Sequence, residues 1–525
     1  MARRGDIIIG IDAGTSVIKA VAFGLSGEQL GVCAVRNSYT SGADGSATQS
    51  LRKTWLDCAQ AIRGLGDDVH DLGGRVAALG VTGQGDGTWL VGAGNVPVAD
   101  AWLWLDARAT PTVSSLLGRP EDAARFAATG TGLNTCQQGS QLAHMAKHAP
   151  DMLSDAEVAL HCKDWLYLNL TGVRATDPSE ASFTFGDFRT RHYSDTVLEA
   201  LELTAHRGLL PEILDGSQTT HPLTDDAAAA TGLRPGTPVA LGYVDMVMTA
   251  LGAGVHTGEE GVACSTIGST GVHLRGVAAE DVCLNADRTG YVICLPIPGR
   301  VTQVQTNMAA TLNIDWALDL VADLLGEFGA TPDRADIVGR IDGWLDESAQ
   351  RGLVYHPYIS DAGERGPFLD GLAQASLLGL RTTHRFPDIM RAVVDGLAMA
   401  ARDCFAAMGP LPEELRVTGG AARSAAVRRV LAAALNTRIR MSLRDETGAA
   451  GAAMMAAVGI GAYPDMDACI DDWVRPYLGE VETPDPALIA LYDSLFMAYH
   501  QSRLAVSTLW PTLAEHQAKH ARHTV

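Results

Sequence analysis

The sequence lacks paired cysteines. Its nine cysteines are scattered over 525 residues, and no Cys-x-x-Cys pair occurs among them. This pattern argues against a disulfide framework or a zinc site, and it predicts a reducing, cytoplasmic environment.

Long apolar runs are also missing. Ile7-Ile8-Ile9 is too short for the core of a signal peptide, and residues 448–462 are mostly alanine and glycine, too few to span a bilayer. We predict that the latter segment is a close-packed buried helix and that the chain has no membrane partner.

A basic surplus and a P-loop are absent as well. The formal net charge is −21, which argues against nonspecific binding of nucleic acid. The pattern Gly-x-x-x-x-Gly-Lys-Ser/Thr does not occur anywhere in the chain. Neither absence excludes an anionic cofactor, because backbone N–H groups and Mg²⁺ can hold phosphate locally.

What the chain does contain is a repeated strand-turn-strand pattern. A β-type run at residues 6–11 is followed by turn residues 12–16 and a second apolar strand at residues 17–23. The same order recurs near the middle, with a turn at residues 266–270. The repeat predicts two similar mixed α/β domains that face a cleft, residues 1–254 and residues 255–525.

The two turns are candidate phosphate sites. In the first, a tight turn at Gly14 would free backbone N–H groups, Asp12 would supply a carboxylate for Mg²⁺, and further donors follow at Thr15, Ser16 and Lys19. The second candidate is the turn at Gly268 and Ser269. Either could instead be an ordinary glycine turn.

A third glycine pair lies between a strand and an amphipathic helix. Gly419, Gly420 and Ala421 would let a ligand approach the backbone and the helix N-terminus, although the glycines could also serve only to ease the turn.

Two further segments carry polar groups at strand ends. Asp245 follows a short strand where a helix begins, so it is a candidate base for phosphoryl transfer or, alternatively, a helix N-cap. Gln84, Gly85 and Asp86 form a polar loop that could bind vicinal hydroxyls, and the indole of Trp104 could flank a carbon skeleton or belong to the core. His516, His520 and His523 have helical spacing, but their polar surroundings favour a solvated tail over a metal site.

In this order, the motifs resemble the FGGY carbohydrate kinase family over nearly the whole chain. Residues 9–16 look like the family's opening phosphate motif, residues 375–395 resemble its C-terminal signature, and residues 418–424 resemble its adenosine motif. A second family signature is degenerate, because residues 139–144 lack the expected lysine.

The resemblance implies two ribonuclease-H-like domains of the actin and hexokinase type around a central cleft for ATP and substrate. It implies a catalytic base at Asp245, Mg²⁺ at Asp12, and phosphate or nucleotide contacts at the three glycine-containing turns. The same resemblance places a polyol at residues 84–86. Glycerol kinases carry Arg-Glu where this chain has Gly85-Asp86. The missing arginine argues against glycerol, and we expect the glycine to open the pocket for a longer hydroxyl chain. Members acting on erythritol look most similar, and members acting on xylulose or ribulose are the alternative.

Two other classes of function are weighed against a kinase. An actin- or chaperone-like ATPase switch would also clamp nucleotide, but the segment at residues 375–395 is of the carbohydrate type. A sugar sensor would need neither Asp12 nor Asp245. A homodimer is compatible with the sequence.

Overall fold

A computed structural model describes residues 5–348 and 352–521. His523 of the predicted histidine tail lies outside these residues. Within them, no helix combines the length and apolar character needed to cross a bilayer.

The first half is built on a six-stranded sheet in the order β5-β6-β4-β1-β2-β3. Its strands are β1 Ile7–Ala13, β2 Val17–Gly24, β3 Gln29–Arg36, β4 Val76–Gly83, β5 Thr220–Pro222 and β6 Pro238–Leu241. β1, β2 and β3 form an antiparallel meander, whereas β4 runs parallel to β1 and β6 runs parallel to β4. The meander confirms the predicted strand-turn-strand start, with Asp12 and Ala13 inside the strand and not in the turn.

The second sheet repeats the meander and the two parallel strands of the first sheet, and its sixth strand lies at the opposite edge. Its strands are β7 Val262–Ile267, β8 Gly271–Ala278, β9 Tyr291–Cys294, β10 Arg300–Asn307, β11 Glu414–Thr418 and β12 Arg438–Met441, in the order β9-β10-β8-β7-β11-β12. Again an antiparallel meander (β7, β8, β10) is followed by two strands parallel to its first member. The internal repeat predicted from the two turns therefore corresponds to two sheets of the same design.

Five helices matter for the site. They are α1 Cys162–Thr171, α2 Pro178–Phe185, α3 Asp245–Ala253, α4 Ala425–Leu435 and α5 Thr447–Gly459. The other helices cover the sheets and the chain ends: Leu51–Gly64, Leu72–Arg75, Thr110–Leu117, Glu121–Thr129, Gln138–His148, Pro150–Ser154, Asp195–Ala200, Asp225–Thr231, Thr311–Glu327, Arg334–Val338, Ile341–Glu347, Phe386–Ala407, Met466–Trp473, Pro486–Ser507 and Trp510–Ala521. Short strands lie at Thr40–Ser41, Ala47–Gln49, Trp89–Val91, Ala101–Trp102, Val158–Leu160, Ala175–Thr176, Gly186–Asp187, His192–Tyr193, Glu212–Ile213, Val354–His356 and Ser376–Leu378.

Helix α5 joins the two halves. It follows β12 of the second sheet in sequence, yet it packs on the first sheet, where a Cβ at Gly10 would lie 1.9 Å from the Ala449 carbonyl oxygen. Likewise, a Cβ at Gly80 would lie 1.8 Å from the carbonyl oxygen of Ala452. Because neither strand carries a side chain at the contact, the helix lies directly against the sheet backbone. The prediction of a close-packed, buried, alanine-rich helix is confirmed.

Candidate active site

The candidate active site forms where three parallel strands of the first sheet end. In the register of these strands, Ala13 of β1 lies opposite Gly83 of β4, and Val81 of β4 lies opposite Leu241 of β6. The segments that follow them contain the first phosphate turn, the polar loop 84–86 and Asp245. Because the carboxyl ends of parallel strands meet at one sheet edge, segments far apart in sequence come together here.

Hydrogen bonds join the first turn to the polar loop. The Thr15 hydroxyl donates to Gln84 Oε1 at 2.7 Å, and Trp104 Nε1 donates to Thr15 Oγ1 at 2.9 Å. The turn itself is closed by a bond from the Gly14 N–H to the Val17 carbonyl at 3.1 Å. The structure thus brings three residues of the predicted site, Thr15, Gln84 and Trp104, into direct contact. Ser16 is exposed beside them.

Asp12 and Asp245 form a pair of carboxyl groups with perturbed pKa values. Burial raises the pKa of Asp12 to about 6, with the charge of Lys19 opposing the shift and that of Glu446 adding to it. Burial, and then repulsion from Asp12, raises the pKa of Asp245 to about 7. A divalent cation bound at one of two carboxylates that repel one another would relieve that repulsion.

The local donor set fits magnesium better than a transition metal. Across the described ranges, no three His, Cys, Asp or Glu side chains cluster as a metal site would require. Mg²⁺ usually takes one or two protein carboxylates and completes its shell with water and substrate phosphates. Asp12, at the end of β1, matches that requirement.

The side chain of Lys19 has a partner that the sequence did not reveal. Its ammonium bonds both carboxylate oxygens of Glu446, at 2.9 and 2.8 Å. Glu446 immediately precedes α5, so this ion pair ties β2 of the first sheet to the helix that links the halves. As a predicted phosphate contact, Lys19 therefore presents a charge that is already balanced in this structure.

Asp245 is the first residue of α3, and the alternative that it is the helix N-cap is wrong. The N-cap position belongs to Val244, and the Asp245 carboxylate accepts a bond from the next N–H, that of Met246, at 2.6 Å. A second backbone N–H, that of Gly85, lowers the pKa of Asp245 against the effect of burial. The polar loop therefore supports the candidate base directly.

In the polar loop, Asp86 has one carboxylate oxygen without a protein partner. The Cys136 thiol donates to Oδ2 at 3.2 Å, whereas Oδ1 is buried and accepts no hydrogen bond from the described residues. Burial raises the pKa of Asp86, and the Cys136 bond and the charges of His161 and Arg365 oppose that shift. Asp86 Oδ1 is thus a free acceptor for a ligand hydroxyl. Gln84, by contrast, is committed to Gln49, whose Oε1 accepts from Gln84 Nε2 at 2.8 Å.

The expectation that Gly85 leaves extra room in the pocket is wrong. A Cβ at Gly85 would lie 2.4 Å from Val244 Cγ2 and 3.5 Å from Glu180 Oε1. The Val244 side chain therefore already occupies the space that a side chain at Gly85 would need. Glycine is required at this position because the loop packs against the segment that carries Asp245.

The turns of the second sheet also lie side by side. β7 and β11 are parallel, with Thr266 opposite Thr418, so the turn at Gly268 and Ser269 adjoins the turn at residues 419–421. Gly419 has a φ of +96°, and a Cβ there would lie 2.5 Å from the Ile267 carbonyl oxygen.

The glycine pair does not open directly onto the helix N-terminus, which corrects that expectation. A single 3₁₀ turn, Ala421–Arg423, intervenes, and α4 begins at Ala425 with Ser424 Oγ capping the Val427 N–H at 3.1 Å. Gly420 is exposed and has no atom near its Cβ position, so the turn leaves open space next to it. A mostly apolar cavity adjoins Ala421, lined among others by Ile267, Ala309, Ala310, Val394 and Val427.

Sequence reasoning missed Glu180, which lies under the polar loop on α2. The side chain is fully buried, neither carboxyl oxygen accepts a hydrogen bond within the described part of the chain, and the His161 Nε2 atom is 3.4 Å away. Burial raises the pKa of Glu180 well above its usual value; nearby carboxylates add to the shift and Lys163 opposes it. No local pattern marks this residue, because its neighbours come from distant segments.

Comparison with known proteins gives a consistent answer. The family models described as the N-terminal and C-terminal domains of the FGGY family of carbohydrate kinases match residues 7–252 and 263–460. An erythritol kinase from Brucella abortus (strain 2308) is 62% identical over 98% of this chain and 99% of its own length. A xylulose kinase from Escherichia coli (strain K12) is 28% identical over 86% and 89% of the two chains.

Solved structures share the fold. A gluconate kinase from Lactobacillus acidophilus superimposes with a TM-score of 0.87 at 20% identity, covering 97% of this chain and 99% of that one. These findings confirm the predicted architecture of two similar α/β domains.

Proposed function

Because the chain belongs to the FGGY family of carbohydrate kinases, we propose that it transfers the γ-phosphate of ATP to a hydroxyl of erythritol. The observation that carries the substrate is the 62% identity, over 98% of the chain, to the erythritol kinase of Brucella abortus. Polyol binding also agrees with the free acceptor at Asp86 Oδ1, since each polyol hydroxyl can donate one hydrogen bond.

In this proposal Asp245 is the general base. Its carboxylate orients the attacking hydroxyl and accepts its proton as the oxygen approaches phosphorus. A raised pKa, about 7 here, makes a carboxylate a better proton acceptor at neutral pH than one with an ordinary pKa. The Met246 and Gly85 N–H groups hold the carboxylate in place while it does so.

Phosphate binding is assigned to the turns. Gly14, Thr15 and Ser16 on one side, and Gly268 and Ser269 on the other, supply backbone N–H and hydroxyl donors for phosphate oxygens. Asp12 would hold Mg²⁺, which would neutralise charge on the phosphates. Lys19 contributes through its pair with Glu446, which fixes the start of α5 beside Asp12.

The nucleotide and the polyol occupy opposite ends of the proposed cleft. Gly419, Gly420 and Ala421 would contact the nucleoside, next to the small apolar cavity beside Ala421. The loop of Gln84, Gly85 and Asp86 would line the polyol site, with Asp86 Oδ1 as its free acceptor, and the half-exposed Trp104 would cover the carbon chain. Accordingly, we propose that residues 1–254 form the substrate domain and residues 255–525 the nucleotide domain.

All nine cysteines are free thiols, which supports a cytoplasmic location for the enzyme. A homodimer is part of the proposal and is tested by analytical ultracentrifugation.

A coupled assay of ADP release tests the function. Purified protein is given MgATP with erythritol, glycerol, D-xylulose, L-ribulose or no acceptor. We expect rapid ADP release with erythritol and almost none without an acceptor. ADP release that does not depend on an acceptor would indicate an ATPase switch. Faster release with a pentulose than with erythritol would favour a pentulose as the substrate, the alternative that the similarity to xylulose kinase supports.

A further inference from the structure

A buried ion cluster lies beneath the segment that carries the base. The Lys163 ammonium is fully buried and contacts Asp164 Oδ1 at 2.6 Å and Asp177 Oδ2 at 2.5 Å. Both carboxylates are also fully buried. Burial by itself would lower the pKa of Lys163, but the charges of Asp164 and Asp177 raise it above the ordinary value, so the lysine is a fixed cation.

The cluster reaches the base through one hydroxyl. Ser179, at the start of α2, donates its Oγ proton to Asp177 Oδ1, and its N–H bonds the same oxygen at 2.7 Å. Since the hydroxyl proton is directed at Asp177, the lone pairs of Ser179 Oγ are free to accept. They accept the Val244 N–H at 3.0 Å.

Val244 is the residue whose position matters most for Asp245. It is the N-cap of α3, and Asp245 follows it directly. Its side chain also fills the space under Gly85, whose N–H supports the Asp245 carboxylate. A shift of Val244 would therefore move the base and one of its two backbone donors together.

We propose that Ser179, oriented by Asp177 and Lys163, is a positioning residue for the base Asp245. A buried ion pair is weak evidence for stability, because desolvation offsets its attraction. What the cluster supplies is direction: Asp177, which the buried Lys163 ammonium contacts, accepts the Ser179 hydroxyl proton, and Ser179 Oγ in that orientation accepts the Val244 N–H. This inference rests on the proposed kinase function, since it concerns the base of that reaction.

The test compares Ser179→Ala with Ser182→Ala. Both serines are fully buried on α2, but the Ser182 hydroxyl contacts the Ser179 carbonyl oxygen at 3.3 Å and Cys294 Sγ at 3.2 Å and does not reach the base segment. We expect Ser179→Ala to lower kcat for polyol phosphorylation by about 10- to 100-fold, the order produced by a misplacement near 1 Å. Ser179→Ala should change the KM for ATP by less than about twofold, because its contact acts on the base segment. Ser182→Ala should change kcat by less than about twofold, because the Ser182 hydroxyl does not reach that segment.

Two further variants probe the chain of contacts. Ser179→Thr keeps the hydroxyl and should recover most of the lost kcat. Asp177→Asn should lower kcat as Ser179→Ala does, and the double variant should fall no further, because the two residues act through one contact. If Asp177→Asn does not fold, the comparison of the two serine variants still decides the matter.

A readout independent of turnover separates this inference from the proposed function. Amide hydrogen exchange at Val244 should be faster in Ser179→Ala than in wild type and unchanged in Ser182→Ala. Absence of polyol-dependent turnover in the wild-type protein would refute the kinase proposal. Hydrogen exchange at Val244 would still test the contact between Ser179 and Val244. The positioning role is overturned if the two serine variants show equal kcat and equal exchange at Val244.

Discussion

At the scale of single residues, the carboxyl group of Asp245 is the most consequential. Replacing it by asparagine keeps the size of the side chain but removes its capacity to accept a proton. We expect Asp245→Asn to lower kcat by about 10²- to 10⁴-fold, with thermal stability and binding of an ATP analogue retained. The control is Asp225→Asn, since Asp225 is also the first residue of a helix but is exposed and belongs to a helix that carries none of the candidate site residues. A variant retaining more than about a tenth of wild-type kcat would remove Asp245 as the base.

The raised pKa of Glu180 predicts how the free energy of unfolding depends on pH. Because burial raises its pKa in the folded protein, folding favours the protonated form. The stabilisation of the folded state that comes from this raised pKa is therefore fully present near and below the ordinary pKa of 4.5. It is lost as pH rises from 4.5 toward the raised pKa of Glu180 in the folded protein. The glutamine in Glu180→Gln does not titrate. The free energy of unfolding of this variant should therefore increase relative to that of wild type as pH rises.

Urea denaturation at pH 5, 6.5 and 8 measures this difference. The slope for one proton cannot exceed about 1.4 kcal/mol per pH unit. Glu199→Gln, at an exposed position, is the control and should run parallel to wild type. Parallel curves for Glu180→Gln would mean that Glu180 is ionised in the folded protein.

At the scale of elements, the contact between α5 and the first sheet depends on two glycines. Gly80→Ala would place a Cβ 1.8 Å from the Ala452 carbonyl oxygen, so the helix or the strand must shift. We expect a loss of about 1–3 kcal/mol or more in the free energy of unfolding. Gly343→Ala, at an exposed position of the helix Ile341–Glu347 with no atom near its Cβ position, should instead stabilise by about 0.5–1 kcal/mol. Equal stability of both variants by thermal unfolding would contradict the close approach.

Local sequence pattern was sufficient to predict these elements. Apolar β-type runs separated by glycine turns predicted the strands around Gly14 and Gly268, and alanine-rich composition predicted α5. The partners of Lys19 and Gly85 could not be predicted, because Glu446 lies 427 residues from Lys19 in the chain and Val244 is brought to Gly85 only by parallel strand pairing. The same reason explains why Glu180 and the cluster at Lys163 escaped notice.

At the scale of the whole molecule, the proposed phosphate turns belong to different sheets. Binding ATP and polyol together should draw the sheets toward one another, because open water near the γ-phosphate would permit wasteful hydrolysis. Small-angle scattering should show a smaller radius of gyration with erythritol and a non-hydrolysable ATP analogue than with either alone. An unchanged radius with both ligands would contradict closure.

The function proposed for the whole chain is that of a kinase for erythritol. Its most direct test is the ratio of kcat/KM for erythritol and glycerol, measured with one enzyme preparation in one coupled assay. A three-carbon substrate would leave a buried acceptor such as Asp86 Oδ1 without a donor, which costs about 1–3 kcal/mol or roughly 5- to 150-fold in kcat/KM. We therefore predict a ratio in that range in favour of erythritol. Equal efficiencies, or a preference for glycerol, would contradict the account.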